Sequence, residues 1–368
     1  MWQNAHPPRS DATSGTGAVL MALIEHICGQ LAAGEPVSVV GGNTKAFLGG
    51  RLVDEPLAMT EYAGILSYEP TELVLSAKAG TSVSEIQQVL DEAGQMLPFE
   101  PPVFGETSTL GGIMASGLSG PRRMHLGSCR DAILGVRLIN GLGQHLKFGG
   151  EVMKNVAGYD LSRLSVGAFG TLGVLTEISV KVLPRPEKET TVVCEVNQAD
   201  ALALLSTLGR KPYPISAASW IDGQLYLRIS GAGRGVDAAA EAIGGAFVED
   251  AKSLWQSIRD LTHPVFQSAD RWLWRLSVPP NTPVDGLPSV AFDWAGGQRW
   301  VFAEPDRIDV FEMAARVGGH ATCYAKNRHV GTGMQPLESG VLRLNQRVKE
   351  AMDPHGLLNR GRLLEEAH

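Results

Sequence analysis

Cysteine is scarce. The chain has four in 368 residues, Cys28, Cys129, Cys194 and Cys323, widely spaced and with no C-x-x-C pair. That pattern excludes a zinc ribbon, a redox dithiol and a self-contained iron–sulfur site, so no metal ligands are expected. Buried free thiols in a reducing cytoplasm are the simplest reading. Positive charge is also short: 32 Lys and Arg against 39 Asp and Glu leave a net charge of −7. Nucleic-acid binding needs a basic face, which this composition disfavours. The one short basic cluster, 121-PRRMH-125, reads either as an anion site or as a solvated turn, with Arg122 or Arg123 free to meet a phosphate, an acidic substrate or a partner chain. Long apolar runs are missing too. The run 18-AVLMALI-24 falls far short of the roughly 20 residues of a transmembrane helix. The opening MWQNAHPPRSDATSGTG lacks the basic-then-apolar order of a signal peptide and reads as a flexible tail over 1–17. Absent as well are G-x-x-x-x-G-K-[ST] and a G-x-G-x-x-G that opens a helix, which disfavours a P-loop and a standard dinucleotide fold.

What the chain does have is glycine, 43 of them, set among alternating helix and strand signals. Helices are expected from 18 to about 31 and over 81–94, the latter with Ser82 as N-cap and Gly94 as stop. Strands are expected at 37–40, 73–77, 132–139, 144–148 and 175–183. The uncharged stretch 109-TLGGIMASGLSG-120 reads as neither helix nor strand, because glycine weakens both. Pro184-Arg185-Pro186 marks a boundary. After it the order β-α-β-β-α-β over 191–249 is that of a ferredoxin-like unit. A looser second set follows, and 190–330 should form one antiparallel sheet covered by helices. A last helix is expected over 337–352, with Leu337, Val341, Leu344 and Val348 on one face.

The glycines fall in separate loops: 41-GGNT-44, 109-TLGGIMASGLSG-120 and 170-GTLGV-174. Successive backbone N–H groups can bind a diphosphate without a metal. Thr44, Ser108, Thr109, Ser116 and Thr171 add neutral donors, and Leu110, Ile113, Val174 and Leu175 are apolar enough to line a flat ring. Tight turns of a β-rich domain explain the same residues equally well at this level. The ordered segments 41-GGNTKAFLG-49, 109-TLGG-112, 170-GTLGVLTE-177 and 353-DPHGLLNRGRL-363 resemble the FAD-binding fold shared by vanillyl-alcohol oxidase and p-cresol methylhydroxylase (PCMH). The run 148-FGGEVMKNVAGYDLSRLSVGAFGTLGVLTEISVKVLPRP-186, with 94-GQMLPFEPP-102, 117-GLSGPRRMHLGSCRD-131 and 318-GGHAT-322, is similar to the FAD-binding subunit of bacterial glycolate oxidase.

That resemblance implies an α+β chain: a two-subdomain PCMH-type FAD-binding domain over 18–186, a ferredoxin-like cap over 187–335, and a C-terminal helix and tail, 336–368, returning to the first domain. It implies that Gly41, Gly42, Asn43, Thr44 and Lys45 form the pyrophosphate loop. Thr109, Leu110, Gly111, Gly112, Ser116 and Gly117 would add contacts to the diphosphate and ribityl chain. Gly127, Gly170, Thr171, Gly173 and Val174 would lie by the adenosine or ring end, and Asn359 near the flavin. Some members of the fold tether FAD through a histidine where this chain has Asn43, so non-covalent FAD is expected. The implied complex oxidises glycolate to glyoxylate with a larger related flavoprotein and an iron–sulfur subunit that receives electrons. A cytoplasmic site is expected, with any membrane attachment through the partners. The related catalytic subunit carries G-H-x-G-D-G-N; here 329-HVGTGMQ-335 lacks its acid and second histidine. His320, Tyr324 and His329 are the remaining candidates for chemistry on a small 2-hydroxy acid, and Arg360 replaces the usual proline of N-P-G-[RK]. A self-sufficient 2-hydroxy-acid dehydrogenase and a non-catalytic assembly subunit are the alternatives.

Overall fold

The computed structural model describes residues 14–150, 160–280, 282–287, 289–304, 309–324 and 333–363. The chain begins with α1 (Ser14–Ala32), β1 (Ser38–Val40), β2 (Pro56–Ala58), β3 (Ile65–Glu69), β4 (Val74–Lys78), α2 (Val83–Glu92), β5 (Gln95–Met96) and α3 (Leu110–Ser116). It continues through α4 (Arg123–Leu126), α5 (Cys129–Ala132), β6 (Ile133–Ile139), β7 (His145–Gly149), α6 (Leu161–Ser165), β8 (Val174–Lys181) and β9 (Leu183–Pro184). The helix expected from 18 starts earlier, at Ser14. The Ser82 hydroxyl accepts the Glu85 N–H and so starts α2.

Strands β3-β4-β8-β6-β7 form an antiparallel five-stranded sheet, while β1 and β2 pair in parallel beside it. The sheet core is made by Leu75 and Ala77 of β4, Val136 and Leu138 of β6, and Ile178 and Val180 of β8. Against it pack Ile86 and Leu90 of α2 and Leu110, Ile113 and Met114 of α3. At about 25 cal/mol per Å² of apolar surface, such fully buried aliphatic side chains each contribute roughly 1.5–3 kcal/mol. Cys129 lies in this core with its thiol against Met114, and burial pushes its pKa up to about 12.

The second half runs β10 (Lys188–Glu195), α7 (Gln198–Leu208), β11 (Ile215–Ile221), β12 (Gln224–Gly231), α8 (Gly233–Ile243), β13 (Ala246–Phe247) and α9 (Ala251–Arg259). It ends with β14 (Trp272–Ser277), β15 (Ala291–Asp293), β16 (Gln298–Ala303), α10 (Asp309–Arg316), β17 (His320–Cys323) and α11 (Ser339–Met352). Strands β10 to β17 make one eight-stranded antiparallel sheet in the order β13-β10-β12-β11-β15-β16-β14-β17. Its two halves mirror each other across the β11–β15 seam, where Ser219, Trp220 and Ile221 face Asp293, Phe292 and Ala291. The first half has the ferredoxin-like order expected from the β-α-β-β-α-β pattern.

One expectation fails here. The stretch 110–116 is a helix, α3: the Thr109 hydroxyl accepts the Gly112 N–H at its start, and Gly117 ends it in the left-handed region at φ 66°. Capping and burial override the poor helix propensity of glycine. The last helix forms as expected, over Ser339–Met352, with its apolar face largely exposed. Leu337, Val341 and Leu344 are 44%, 47% and 61% exposed, and no residue of that helix is buried.

Candidate functional site

An open groove of about 770 Å³, counting its mouth, lies between the 41–46 loop, the start of α3 and the 169–170 turn. Gly41, Gly42, Asn43, Thr44 and Lys45 line one side; Thr109, Gly111, Gly112 and Ser116 line another; Gly170, Asn359 and Arg362 complete it. Gly42 sits here because a Cβ would stand 1.6 Å from the Thr107 carbonyl oxygen, so nothing larger fits against that strand of chain. Asn43 adopts φ 55°, a left-handed conformation that Asn tolerates better than most residues. Lys45 is buried, with its Nζ donating to Ser108 Oγ at 2.7 Å and Thr44 Oγ1 at 3.2 Å. Burial lowers its pKa to about 8, against a smaller upward pull from Asp260.

The C-terminal motif holds one end of the groove. Asp353 turns the chain by accepting the N–H groups of Leu357 and Leu358 on its two oxygens. Lys349 donates to Asp353, Thr171 and Leu358, which locks the end of α11 to the loop before β8. Asn359 then acts as a staple: its Oδ1 accepts the Val39 N–H at 2.8 Å and its Nδ2 donates to the Phe169 carbonyl at 2.7 Å. Arg360, which departs from the proline of the resembling motif, forms a two-pronged ion pair with Asp54. Arg362 was not singled out from sequence, although it occupies the [RK] position of that motif. It donates to the carbonyls of Ala46 and Gly50 and lines the groove.

Other sequence candidates lie off the groove wall. Leu110 is in the sheet core. Gly117 caps α3, and Gly127 ends α4 close to the Asp131 side chain. The Thr171 hydroxyl donates to Ala168, Gly173 packs on Leu138, and Val174 is fully buried with the α1 side chains. Arg122 is neither a surface group nor an anion site. It is buried and paired with Glu100 and Glu189, because Glu189 and Arg228 of the eight-stranded sheet close over it. Arg123 lies over the Trp294 ring at 4.2 Å. His320 opens β17 with an exposed ring, whereas Tyr324 is buried against Phe47 and Trp300. His329 lies outside the described residues. Among the described residues, no cluster of His, Cys, Asp or Glu could hold a metal ion, and no helix is long and apolar enough to cross a membrane.

A family model for an FAD binding domain matches residues 24–149, the segment that supplies most of the groove. The glycolate oxidase subunit GlcE of Escherichia coli (strain K12) is 43% identical over 346 residues, covering 94% of this chain and 97% of that one. The chain belongs to the family of this glycolate oxidase subunit. The match to the glycolate oxidase subunit GlcD of Bacillus subtilis (strain 168) is partial, at 33% identity over 38% of this chain and 29% of that one. Among solved structures, alkyldihydroxyacetonephosphate synthase superposes with a TM-score of 0.64 at 13% identity, covering 92% of this chain and 75% of that one. That likeness concerns the fold alone. Together these findings identify an α+β protein with a PCMH-type FAD-binding domain.

Proposed function

We propose that this member of the glycolate oxidase subunit family is a flavin-carrying subunit of a complex that oxidises glycolate to glyoxylate. The observation that carries the reading is the groove lined by the 41–45 segment and by Thr109, Gly111 and Gly112, with one buried cation, Lys45, among them. These residues fit FAD. Small residues let the backbone N–H groups approach a diphosphate, the groove is open, and Asn43 offers no histidine for a covalent tether. Residues 18–186 and 336–368 would hold the cofactor and 187–335 would cap it. FAD, when bound, supplies two-electron acceptance from a 2-hydroxy acid and onward release of the electrons. The chain's own residues position it: Lys45 neutralises phosphate charge, Asn359 and Arg362 fix the loop at one end, and Gly170 keeps that end narrow. Electrons would leave to an iron–sulfur subunit in a complex that also holds the larger related flavoprotein, and membrane attachment, if any, would come through those partners.

Purifying the chain alone tests this. A yellow protein supports the reading; a colourless one that resists loading with FAD sinks it. Bleaching on addition of glycolate would show that the chain oxidises substrate unaided. Lys45 adds a pH signature. A nearby diphosphate favours the charged amine, so FAD affinity is full below pH 8 and falls as pH rises through the lowered pKa of about 8. The expected loss above that pH is about tenfold, the equivalent of one pKa unit. In a Lys45→Met variant, titrated by flavin fluorescence, affinity should be weaker and flat across this range. A wild-type affinity that does not change with pH would remove Lys45 from the phosphate site.

A further inference from the structure

Helix α11 has no buried residue along its 14 positions, Ser339–Met352. Leu342, Val348, Lys349 and Met352 are half-buried, and Lys349 ties the C-terminal end to Thr171, Asp353 and Leu358. Isolated helices shorter than about 12–15 residues are marginal in water, and most helices gain their stability by packing an apolar face. In α11 that face is turned outward: Leu337, Val341, Leu344 and Ala351 are all exposed.

The pattern of that face says what fits it. Leu337, Val341, Leu344, Val348 and Ala351 follow one another at alternating intervals of four and three. This is the two-position heptad seam of a coiled coil, narrower than the stripe of a helix that packs into a globular core. Other helices fill such a seam, knob into hole. A Cβ on Gly340, next to Val341, would meet nothing, so a neighbour can come close there. The flank opposite Leu342 and Lys349 carries Arg347, which is exposed and makes no ion pair among the described residues. A second copy of the helix is too small an occupant. Two helices of this length, each offering a strip of about 21 Å by 10 Å, bury roughly 400 Å² between them, against about 1,000 Å² for a specific interface. An occupant that meets the need must hold α11 on both sides of its seam. We propose that α11 is a docking helix, seated in an apolar groove between helices of another subunit, with a carboxylate on the groove rim facing Arg347. That subunit is the larger related flavoprotein, an assignment that rests on the function proposed above.

The test is co-expression of the full chain with that flavoprotein subunit, then gel filtration with light scattering and titration of the two purified proteins. The wild-type chain should be a monomer alone and form a complex with the subunit. Val341→Glu combined with Leu344→Glu should weaken the complex by at least about a hundredfold, because two charges enter an apolar interface core. Both side chains are exposed in the chain alone, so its thermal midpoint should not change. Arg347→Glu should weaken the complex by about tenfold, and by less at high salt. Leu344→Met, which keeps the seam apolar, should bind like the wild type. A wild-type chain that forms no complex with the subunit would overturn the proposal. So would a doubly substituted chain of unchanged thermal midpoint that binds as tightly as the wild type. A chain that dimerises alone, and becomes monomeric when the seam is charged, would overturn it in favour of a second copy. Complex formation is scored on protein rather than colour. A colourless chain that binds through the seam counts against the flavin reading alone; a yellow chain that binds without it counts against this surface alone.

Discussion

Gly112→Leu should yield a folded protein that no longer holds FAD, with affinity lowered by roughly a hundredfold, or about 2.8 kcal/mol. The choice of this glycine over its neighbours follows from what surrounds each one. A Cβ on Gly42 would stand 1.6 Å from the Thr107 carbonyl oxygen, and one on Gly111 would stand 2.8 Å from the Ala79 Cβ and 2.9 Å from its carbonyl oxygen. Side chains there force backbone apart, so loss of flavin would report only a broken fold. A Cβ on Gly112 meets just the Thr109 hydroxyl, at 3.2 Å. Beyond it lies the groove. Within a helix, exchanging Gly for Leu recovers up to about 1 kcal/mol of propensity, which offsets a small shift of Thr109. The checks are flavin absorbance after gel filtration and the thermal midpoint without cofactor. Gly112→Ala, whose methyl is small, should keep most of the flavin. A Gly112→Leu protein that stays yellow would show that the cofactor does not lie along the start of α3.

Local signals carried much of the fold. Ser82 before an amphipathic run and glycine at 94 were each readable because the relevant chemistry lies within a few residues. The groove was readable in part for the same reason: 41–45 line it as one short loop, whereas 111–112 reach it from the start of α3. What failed depended on partners far away. Nothing near 109–117 says that a run with three glycines will be buried on a sheet, and it is that burial which makes α3 a helix. Leu337, Val341 and Leu344 have the spacing of a core-facing stripe, yet among the described residues no element covers them. Periodicity marks an apolar face but does not say what meets it. Arg122 looked available for an anion because its acidic neighbours are 22 and 67 positions away.

Glu100→Gln should destabilise the protein by about 3 kcal/mol, the scale of breaking a buried ion pair. Glu100 and Arg122 come from the segments flanking α3, and Glu189 and Arg228 from β10 and β12. Arg228 places two nitrogens on the two oxygens of Glu100, at 2.9 and 2.7 Å, while Arg122 pairs with both Glu100 and Glu189. The guanidinium of Arg228 is also stacked on Trp255 and its side chain is 2% exposed. Two cations and two anions therefore balance, and neutralising Glu100 leaves two buried guanidinium groups for one carboxylate. The direction of the pH effect follows from the same balance. Burial pushes Glu100 up, but Arg228 and Arg122 more than reverse this and hold it below the ordinary carboxylate value. Its contribution is complete above the unfolded pKa of about 4.3 and is lost as pH falls through the lower folded value. Denaturation midpoints of wild type and Glu100→Gln should therefore differ most near neutrality and converge as pH falls through that lower folded value. Adding Arg228→Met restores one cation to one anion, so the double variant should recover most of the loss. A double variant no more stable than Glu100→Gln would mean that Arg228 acts through its stacking on Trp255 rather than through charge.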